Sequence, residues 1–524
     1  MKKSSVATTS LDEKRVEDLR KSQDASKMNE LADFETAVEA TGFGKFNLIL
    51  LLISVPTSLS QAFEQMTLSF VIPIAQCDLH LTLEDKGMLN AIAFAGMISS
   101  GFVSGYLCDF FGRRKMIIIG HTLQAFFTIL ASLSQTFPML MAAKFFSGFC
   151  FNGGFSAFTS YLTEWHSSKY RGVVQLVRGT AIAFGNVVVP LLAWGILPQG
   201  IYFRLFGVSD IHSWNVFILA TILAPLICAS TSYFAPESPK FLMTSGRNEE
   251  ALRVFRMAYS MNTGKSVESY PIKQLVDERS HMTRRKSVEK IKNSFQALKP
   301  LITPPYLYKL ILVCITACFI LMGNHSLKLW FPQLLQSIND YQQYNNGSSS
   351  GMCEIIDFLN EKTTTTSEAC DVNLDNSSVY INAIIIGCVQ IAQFTIAGFF
   401  LRLLGHRVLA GITTSISGAC AIGIYFAKNS TTITALFSIF IGFFELAGNT
   451  VLTMTLEIFP TTCRTTALSF HLTMARIGSI TGNMIFSKLI SSGCLYPFIF
   501  CSGLAFTIPI LMCFYPNLTN KALV

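Results

Sequence analysis

Several ionisable side chains stand inside long apolar stretches of this sequence. Glu64, Lys144, Glu445 and Arg476 are each surrounded by hydrophobic residues, and the amide Gln61 lies one helical turn before Glu64. Such a charge needs a partner, because an unpaired charge inside a membrane costs several kcal/mol. It can therefore bind an ion of opposite sign, and a carboxylate can also exchange a proton. We take these five residues as candidates for a substrate or ion pathway.

The composition indicates what kind of protein holds these residues. Hydrophobic residues make up 51% of the 524 residues and charged residues only 14%, a balance typical of polytopic membrane proteins. Since a helix of about 20 apolar residues crosses the hydrocarbon core, we predict an all-α membrane protein with about twelve transmembrane helices. The predicted spans are 46–74, 87–107, 116–136, 139–163, 172–197, 214–235, 308–334, 379–401, 408–427, 433–456, 465–490 and 495–515.

The basic residues are distributed unevenly along these spans. Of the 40 Lys and Arg residues, 31 lie in the two tails and in alternate loops. Because cytoplasmic loops retain positive charge, we predict that the tails 1–45 and 516–524 are both cytoplasmic. The net charge of +8 is then a topology signal, and we predict no nucleic-acid partner. The first 45 residues are predicted to be a mobile polar tail.

The long loop at 335–378 falls on the opposite side of the membrane. It is rich in Ser and Thr and carries the glycosylation sequons of Asn346 and Asn376. It also contains Cys353 and Cys370, whereas most other cysteines lie in apolar spans. We predict glycosylation at both asparagines and a disulfide between the two cysteines. The alternative is a pair of free thiols.

Two loops of the sequence recur at one constant offset. The segment 105–114 recurs at 398–407 with an offset of 293 residues. The matched residues are Gly105, Asp109, Gly112, Arg113 and Arg114 with Gly398, Arg402, Gly405, His406 and Arg407. The loop residues Glu164 and Arg171 recur as Glu457 and Arg464 with the same offset. Internal duplication is the simplest explanation for two repeats that share one offset.

The duplication predicts two halves with the same orientation. Each half contains six spans, and an even number leaves the second copy parallel to the first. We therefore predict an N-terminal half at 46–235 and a C-terminal half at 308–515. A cytoplasmic linker, 236–307, joins them.

The repeated motif resembles the major facilitator superfamily. The signature is G-x-x-x-D-x-x-G-R-R-K at 105–115, supported by PESPKFL at 236–242. Within this superfamily, FETAVEATGFGKFN at 34–47 and LWFP at 329–332 resemble synaptic vesicle glycoprotein 2, whereas MARIGS at 474–479 resembles the organic anion and cation transporters. The resemblance implies a transporter that works by alternating access.

The resemblance also implies a cytoplasmic gate at the charged motif. Asp109 is expected to face the N-terminus of a neighbouring helix. Arg402 stands in the matching position of the second half, which is therefore expected to hold the cytoplasmic gate closed less strongly. The alternative is a basic loop that only sets topology. Two further pairs are candidates for the gate, Glu164 with Arg171 and Glu457 with Arg464. The alternative is that these residues are solvated loop charges.

In this family spans one, four, seven and ten line the central cavity. Glu64, Lys144, Lys328 and Glu445 fall on these four spans, and Arg476 falls on span eleven, where the organic ion transporters place a substrate-contacting Arg. Counted from the span ends, Glu64, Glu445 and Arg476 lie near mid-membrane and both lysines lie in the outer third. The alternative for Arg476 is an ion pair with Glu445 that only joins two helices. Lys328 is interpreted as an interfacial anchor.

The fourth span departs from the family pattern. Lys144, Cys150 and Asn152 stand where related proteins have Arg and glycines, which predicts helix packing that is either looser or differently built. No nucleotide-binding GxxxxGK[ST] sequence and no metal-spaced cluster of His or Cys occurs.

Two functions agree with the whole sequence. The first is a secondary-active or facilitative transporter of small organic ions, with protons as a candidate coupling ion. The second is a non-transporting glycoprotein of the synaptic vesicle glycoprotein 2 type that acts through partners. We predict no enzyme activity, no cofactor and no metal site, and a multi-pass location in the plasma membrane or in a secretory-type vesicle.

Overall fold

A computed structural model of the chain describes residues 31–205, 207, 209–276, 301, 303–304, 306–344, 351–357, 377–459 and 464–516. Long helices dominate these residues, and we number them α1 to α12 in chain order. They are α1 Lys45–Ala75, α2 Leu83–Phe111, α3 Arg113–Ser132, α4 Phe137–Glu164, α5 Ser168–Ile196, α6 Ser213–Phe234, α7 Tyr306–Tyr344, α8 Ser377–Leu401, α9 Leu403–Phe426, α10 Ser430–Ile458, α11 Arg464–Ser492 and α12 Leu495–Cys513.

Each predicted span corresponds to one of these helices. In the described part of the chain, nine helices are long and apolar enough to cross a membrane, namely α1, α3, α5 to α10 and α12, and α2 is a tenth if its two bent segments count together. Helices α4 and α11 carry Lys144 and Arg476 and pack beside these helices in the same bundle. The prediction of an all-α membrane protein in two six-helix halves is confirmed.

The helix breaks preserve the sequence repeat. Gly112, between α2 and α3, has φ 92°, and Gly405, near the start of α9, has φ 74°. Only glycine adopts this backbone region without strain. At Gly112 the space is also closed, because an added Cβ would lie 2.5 Å from Oε2 of Glu237. The two glycines therefore occupy equivalent places in the two halves.

Helix α4 packs closely on α2 and α3. A Cβ on Gly148 would lie 2.3 Å from the Ala93 carbonyl oxygen, and one on Gly120 would lie 2.6 Å from the Gly154 nitrogen. Of the two predicted alternatives, looser packing is therefore wrong, and a close contact that is built differently is observed. The glycines that remain are enough for close approach, and Asn152 is accommodated by donating a hydrogen bond of 2.8 Å to Ser100 on α2.

The two halves meet mainly through α2 with α11 and α5 with α8, and α1 also contacts α7. Several of these contacts lie toward the side of the bundle away from the linker, which we call the far side. Phe70 stacks on Tyr380 with ring centroids 6.4 Å apart. A Cβ on Gly87 would lie 2.9 Å from the Ser487 hydroxyl. The halves are thus closely packed at the far side.

A small folded layer covers the opposite side of the first half, which we call the linker side. The strand Leu31–Ala32 pairs in parallel with Gln274–Leu275, and a short helix, Phe34–Ala40, follows. The linker contributes the helices Pro239–Thr244 and Asn248–Thr263. The described segment that begins at residue 31 is therefore attached to the linker.

Apolar contacts hold this layer together. Phe34, Ala37 and Val38 are buried in a cluster with Phe255 and Tyr270 of the linker. The prediction of a mobile polar tail up to residue 45 is wrong for residues 31–44, because every third or fourth residue of this short helix is apolar and covered. Residues 1–30 lie outside the described residues.

An N-cap also fixes the start of this short helix. The Thr36 backbone N–H donates a hydrogen bond of 2.9 Å to Oδ1 of Asp33. Hydrogen bonding to Thr36 holds the pKa of Asp33 below its usual range, because the bond favours the charged carboxylate. A cap of this kind stabilises a helix by about 1 kcal/mol.

Candidate functional site

A buried ion pair lies inside the first half. Nζ of Lys144 on α4 is 2.8 Å from Oε1 of Glu64 on α1, and the two side chains are only 3% and 2% exposed. The second carboxylate oxygen accepts hydrogen bonds from Ser147 at 2.7 Å and from Gln124 at 3.3 Å. Ser60 in turn donates to Gln124 at 2.9 Å. The charge of Glu64 is therefore both paired and hydrogen-bonded.

A second ion pair lies inside the second half. Nζ of Lys328 on α7 is 2.8 Å from Oε2 of Glu445 on α10, and the side chains are 7% and 20% exposed. Gln390 on α8 donates to the same oxygen at 3.1 Å and accepts from Asn186 on α5 at 3.0 Å. Because α5 belongs to the first half, this chain of hydrogen bonds links Glu445 across the interface between the halves.

The structure corrects the interpretation of both lysines. Lys328 is buried in the bundle and bound to Glu445, so its prediction as an interfacial anchor is wrong. The depth estimate separated the lysines from the carboxylates, but the paired atoms lie at the same level. A lysine side chain is long enough for its ammonium group to lie well away from its own Cα, which residue counting from span ends ignores.

The two pairs have opposite polarity in the two halves. In the first half the acid is on the first helix and the base on the fourth, whereas in the second half the base is on α7 and the acid on α10. Helices α1 and α7 are equivalent in the repeat, and so are α4 and α10. By the 293-residue offset, Lys144 corresponds to Phe437 and Glu445 to Asn152, so the two pairs join equivalent helices at different levels and with the charges exchanged.

Arg476 has a different environment from the other buried charges. Its Nη1 donates to the Met97 carbonyl on α2 at 3.3 Å. No carboxylate of the described residues lies within the 4.0 Å limit of an ion pair to it. Glu445 is bound to Lys328 instead, so the alternative of an Arg476–Glu445 pair is not observed.

Gln61, the remaining pathway candidate, has a buried Oε1 without a hydrogen-bond partner in the described structure.

The charged motif forms a network at the linker side. Arg113 lies between two acids, with Nη1 3.2 Å from Oδ1 of Asp109 and Nη2 3.3 Å from Oε1 of Glu164. The Asp109 side chain is 66% exposed, so it faces Arg113 and the surroundings rather than the N-terminus of a neighbouring helix. Glu164 also accepts a hydrogen bond from the Ser238 hydroxyl. These contacts all lie within the first half and its linker.

Arg114 attaches the α2–α3 hairpin to the end of α6. Its backbone N–H donates to Glu237 at 3.0 Å, and its guanidinium donates to the Tyr233 carbonyl. The equivalent Arg407 donates to the Cys513 carbonyl at 2.9 Å, at the end of α12. In both halves, therefore, the arginine two residues after the second glycine of the motif binds carbonyls that the final helix leaves without an internal partner.

The second pair of predicted gate residues is arranged differently. Arg171 binds Glu35 of the N-terminal short helix, with 2.7 Å between Nη2 and Oε2. The predicted Glu164–Arg171 pair is therefore wrong, because each residue has another partner. In the second half, Nε2 of His406 is 3.5 Å from Oε1 of Glu457, the equivalent of Arg113 with Glu164. The side chains of Arg402 and Arg464 lie outside the described part of the structure.

The remaining glycine of the motif, Gly105, is exposed on α2 with open space where a Cβ would be. In the far-side loop, Asn346, Asn376 and Cys370 lie outside the described residues, so glycosylation stays a prediction.

A disulfide on the far side differs from the predicted one. Cys353 is bonded to Cys494, with Cα atoms 5.0 Å apart, so the predicted Cys353–Cys370 bridge is wrong. Cys77 is also disulfide-bonded. The prediction considered only one loop, although Cys77 and Cys494 also lie between spans on that same side. Four cysteines on one side allow three pairings, and tertiary structure selects among them.

A helical membrane bundle of two parallel halves, with paired charges at its centre and a basic network at one end, has the architecture of a membrane transporter. The chain belongs to the Major Facilitator Superfamily, whose family description matches residues 55–359. Residues 367–524 match the family described as Sugar (and other) transporter. The family and the fold are thus those of membrane transporters and not of enzymes.

Individual relatives are distant. Synaptic vesicle glycoprotein 2B of Rattus norvegicus is 21% identical over 559 residues, covering 87% of this chain and 81% of that protein. Synaptic vesicle glycoprotein 2A of the same species is 29% identical over 237 residues, 44% of this chain and 31% of that protein. The xylose transporter XylE from E. coli, in a partially occluded inward-open conformation, has a TM-score of 0.66 at 15% identity and covers 91% of this chain and 99% of its own. At that identity the likeness shows the fold alone.

Proposed function

We propose that this protein is a secondary-active or facilitative transporter of small organic ions that works by alternating access. The observation that carries the proposal is the pair of buried ion pairs, Glu64–Lys144 and Lys328–Glu445, one in each half. Buried ion pairs add little stability compared with apolar packing. Charges kept inside a membrane bundle are commonly part of a substrate or ion pathway.

The distribution of contacts supports alternating access. Near the middle and the far side the halves are joined by Asn186 with Gln390 and by Arg476 with α2, whereas the Arg113 network contacts only its own half. This is the arrangement of a state that is closed on the far side. Asp109 is exposed at the linker side, so it can contact the second half when that side closes.

Uptake into proteoliposomes tests the proposal. Purified protein should accumulate or exchange members of a panel of labelled organic cations and anions, with and without a pH gradient. Protein-free liposomes provide the background. A folded protein that moves no member of the panel under any gradient would contradict the proposal.

The same assay tests protons as the coupling ion. If Glu64 exchanges the proton, Glu64→Gln should abolish uptake driven by a pH gradient, while substrate exchange at equal pH continues. Glu354→Gln, in the loop before α8, is the matched control. Gradient-driven uptake that persists in Glu64→Gln would assign coupling to another group or another ion.

A non-transporting glycoprotein that acts through partners is the second candidate. It is supported by the similarity to synaptic vesicle glycoproteins 2A and 2B and by Gln61, which is uncharged. The same relatives favour a vesicle membrane over the plasma membrane. If both ion pairs can be neutralised without any change in transport by a correctly sorted protein, this second function is favoured.

We further propose that both termini are cytoplasmic and that Asn346 and Asn376 are glycosylated. Tags on both termini should be protected in intact cells, and glycosidase treatment should increase the gel mobility of the wild type but not of the doubly substituted Asn346→Gln/Asn376→Gln protein. An externally accessible tag would contradict this topology.

A further inference from the structure

The ion pair of the second half is connected to the interface between the two halves. Gln390 on α8 donates a hydrogen bond of 3.1 Å to Oε2 of Glu445, and Nζ of Lys328 lies 2.8 Å from the same oxygen. On its other side, Oε1 of Gln390 accepts a hydrogen bond of 3.0 Å from Nδ2 of Asn186 on α5. Both amides are buried, so water does not compete for these bonds.

The ion pair of the first half is connected differently. Its carboxylate, Glu64, also accepts a hydrogen bond from an amide, that of Gln124 on α3, at 3.3 Å. Oε1 of Gln124 accepts in turn from Ser60 on α1 at 2.9 Å. In the described structure this chain of hydrogen bonds therefore ends within its own half. The two buried pairs differ in what they can transmit to the interface.

Helices α5 and α8 are in close contact beside the bond between the amides. A Cβ on Gly387 would lie 2.7 Å from Cγ2 of Val187 and 3.1 Å from the Asn186 carbonyl oxygen. Gly387 lies one helical turn before Gln390, toward the far side, where α8 begins. Opening of the far side separates the two helices here, and separation breaks the hydrogen bond between Asn186 and Gln390.

The direction of these hydrogen bonds follows from the carboxylate. An ionised carboxylate only accepts hydrogen bonds, whereas an amide has one donor group and one acceptor group. Gln390 must therefore present its NH₂ group to Glu445, which leaves its oxygen facing α5. That oxygen requires a donor, and Nδ2 of Asn186 supplies it. The carboxylate thus determines the orientation of the amide at the contact between the halves.

We propose that Gln390 is a positioning residue that couples the Lys328–Glu445 pair to closure of the far side. While Glu445 accepts its hydrogen bond, the amide is held in the orientation that binds Asn186 and keeps α5 against α8. A ligand that withdraws the carboxylate from Gln390 releases this orientation and weakens the contact. The inference rests on the proposed alternating access and adds the residue that connects a buried charge with the far-side contact.

A cysteine reporter measures opening of the far side without any substrate. Ala383 is buried on the same face of α8 as Gln390, two turns nearer the far side, and Ala383→Cys introduces a thiol there. A membrane-impermeant thiol reagent is applied to the far side of oriented membrane vesicles. The labelling rate is corrected with the protein that lacks the reporter. Phe70→Ala, which removes the stacking on Tyr380, is the positive control.

Two substitutions of Asn186 separate loss of the bond from reversal of its direction. Asn186→Leu removes the donor and should raise the labelling rate about threefold to tenfold, the effect expected for one hydrogen bond. Asn186→Asp replaces the donor by an acceptor, so that Gln390 lies between two carboxylates and can donate to only one of them. Its rate should exceed that of Asn186→Leu by about threefold or more.

A background without the ion pair tests the part of Glu445. In Lys328→Met/Glu445→Gln the side chain at position 445 can donate as well as accept, so the Gln390 amide can turn. In this background Asn186→Asp should be labelled no faster than Asn186→Leu. A residue that only supports packing would not give an effect that depends on the charge at position 445.

Ser60→Ala is the matched control, because it removes the donor to Gln124, the corresponding amide of the first half. It should not raise the labelling rate. Thermal unfolding of each purified variant verifies that it is folded. If Asn186→Asp does not fold, Gln390→Leu is compared with Asn186→Leu/Gln390→Leu. Both residues serve one bond, so the double variant should be labelled as fast as Gln390→Leu, and rates that multiply would overturn the coupling.

Each result has a defined meaning. Equal rates for the two Asn186 variants in the presence of the ion pair would overturn the coupling. So would an excess for Asn186→Asp that is the same in both backgrounds, because burial of a new carboxylate would then cause it. A faster rate in Ser60→Ala would show that any lost buried hydrogen bond opens the far side. Absence of labelling in every protein, Phe70→Ala included, would contradict the proposed alternating access itself.

Discussion

Glu64 and Lys144 are the residues for which a change of one side chain should have the largest effect on stability. Lys144→Met leaves Glu64 as a buried carboxylate with only Ser147 and Gln124 as donors. Removing one partner of a buried pair typically destabilises a protein by about 3–5 kcal/mol. We expect a loss of this size in chemical unfolding of the detergent-solubilised protein.

A double variant tests whether the loss of stability comes from the broken ion pair or from altered packing. Glu64→Gln/Lys144→Met removes both charges and should recover most of the stability that Lys144→Met loses, because no uncompensated charge remains. If the double variant is as unstable as the sum of the two single variants, the effect arises from packing and not from charge.

The sequence identified the buried charges but not their partners. Glu64, Lys144, Glu445 and Arg476 were recognisable because charges inside apolar spans are rare. Which charges meet depends on helix rotation and on side-chain length, and neither is fixed by span boundaries. This is why Lys328 was interpreted as an anchor although it binds Glu445.

At the scale of structural elements, two acids that bind Arg113 of the α2–α3 hairpin have different expected roles. Glu164 is expected to be structural and Asp109 to act in gating. Glu164 is buried and binds both Arg113 and Ser238, so Glu164→Gln should lower the unfolding free energy by about 1–3 kcal/mol. Asp109 is 66% exposed, and an exposed pair contributes at most about 1 kcal/mol. Asp109→Asn should therefore leave stability nearly unchanged.

A gating role of Asp109 has its own measurement. We expect Asp109→Asn to raise the rate at which a thiol reagent modifies a single cysteine introduced in the linker-side half of α4. The shift between states should amount to about 1–3 kcal/mol, and Arg402→Ala should have a smaller effect. Equal effects of the two variants would show that the two loops act alike.

The Cys353–Cys494 disulfide ties the short segment before α8 to the start of α12. It closes a loop of 141 residues, and disulfides of this kind stabilise by about 2–5 kcal/mol. Cys353→Ser and Cys494→Ser should lower the melting temperature by the same amount, and reducing agent should then have less effect than on the wild type. Cys388→Ser, which removes an exposed free cysteine, is the control. Unequal losses would contradict the shared bond.

Helices were easier to predict than the segments between them. Hydrophobic runs identify membrane helices because the bilayer imposes a minimum length, so every predicted span is found as a helix. Residues 31–44 were missed because their folding depends on the distant linker, through Phe255 and Tyr270. The far-side disulfide was missed for the same reason, since its second cysteine is distant in sequence.

At the scale of the whole molecule, the two halves also differ at a charged contact on the linker side. Arg113 with Glu164 in the first half corresponds to His406 with Glu457 in the second. In the described structure Arg113 contacts two acids, at 3.2 and 3.3 Å, whereas His406 contacts one, at 3.5 Å. The contact in the second half is therefore the weaker of the two.

His406→Arg should make the two halves alike. We expect the variant to raise the unfolding free energy of the purified protein by at most about 1 kcal/mol, because the contact is partly exposed. His406→Arg/Glu457→Gln lacks the acid and should not show this gain. Equal stability of the wild type and of both variants would exclude a contribution from this contact.

The neutrality of the two buried ion pairs also determines how the molecule responds to voltage. A potential of 100 mV acts on one displaced elementary charge with about 2.3 kcal/mol, but a displaced neutral pair experiences no net force. Arg476 is bound to a carbonyl oxygen and to no acid of the described residues, so its charge is not compensated in this way. Reorientation of the empty carrier should therefore move positive charge. Transient currents on membranes containing the protein should be larger for the wild type than for folded Arg476→Gln, and equal currents would contradict this assignment.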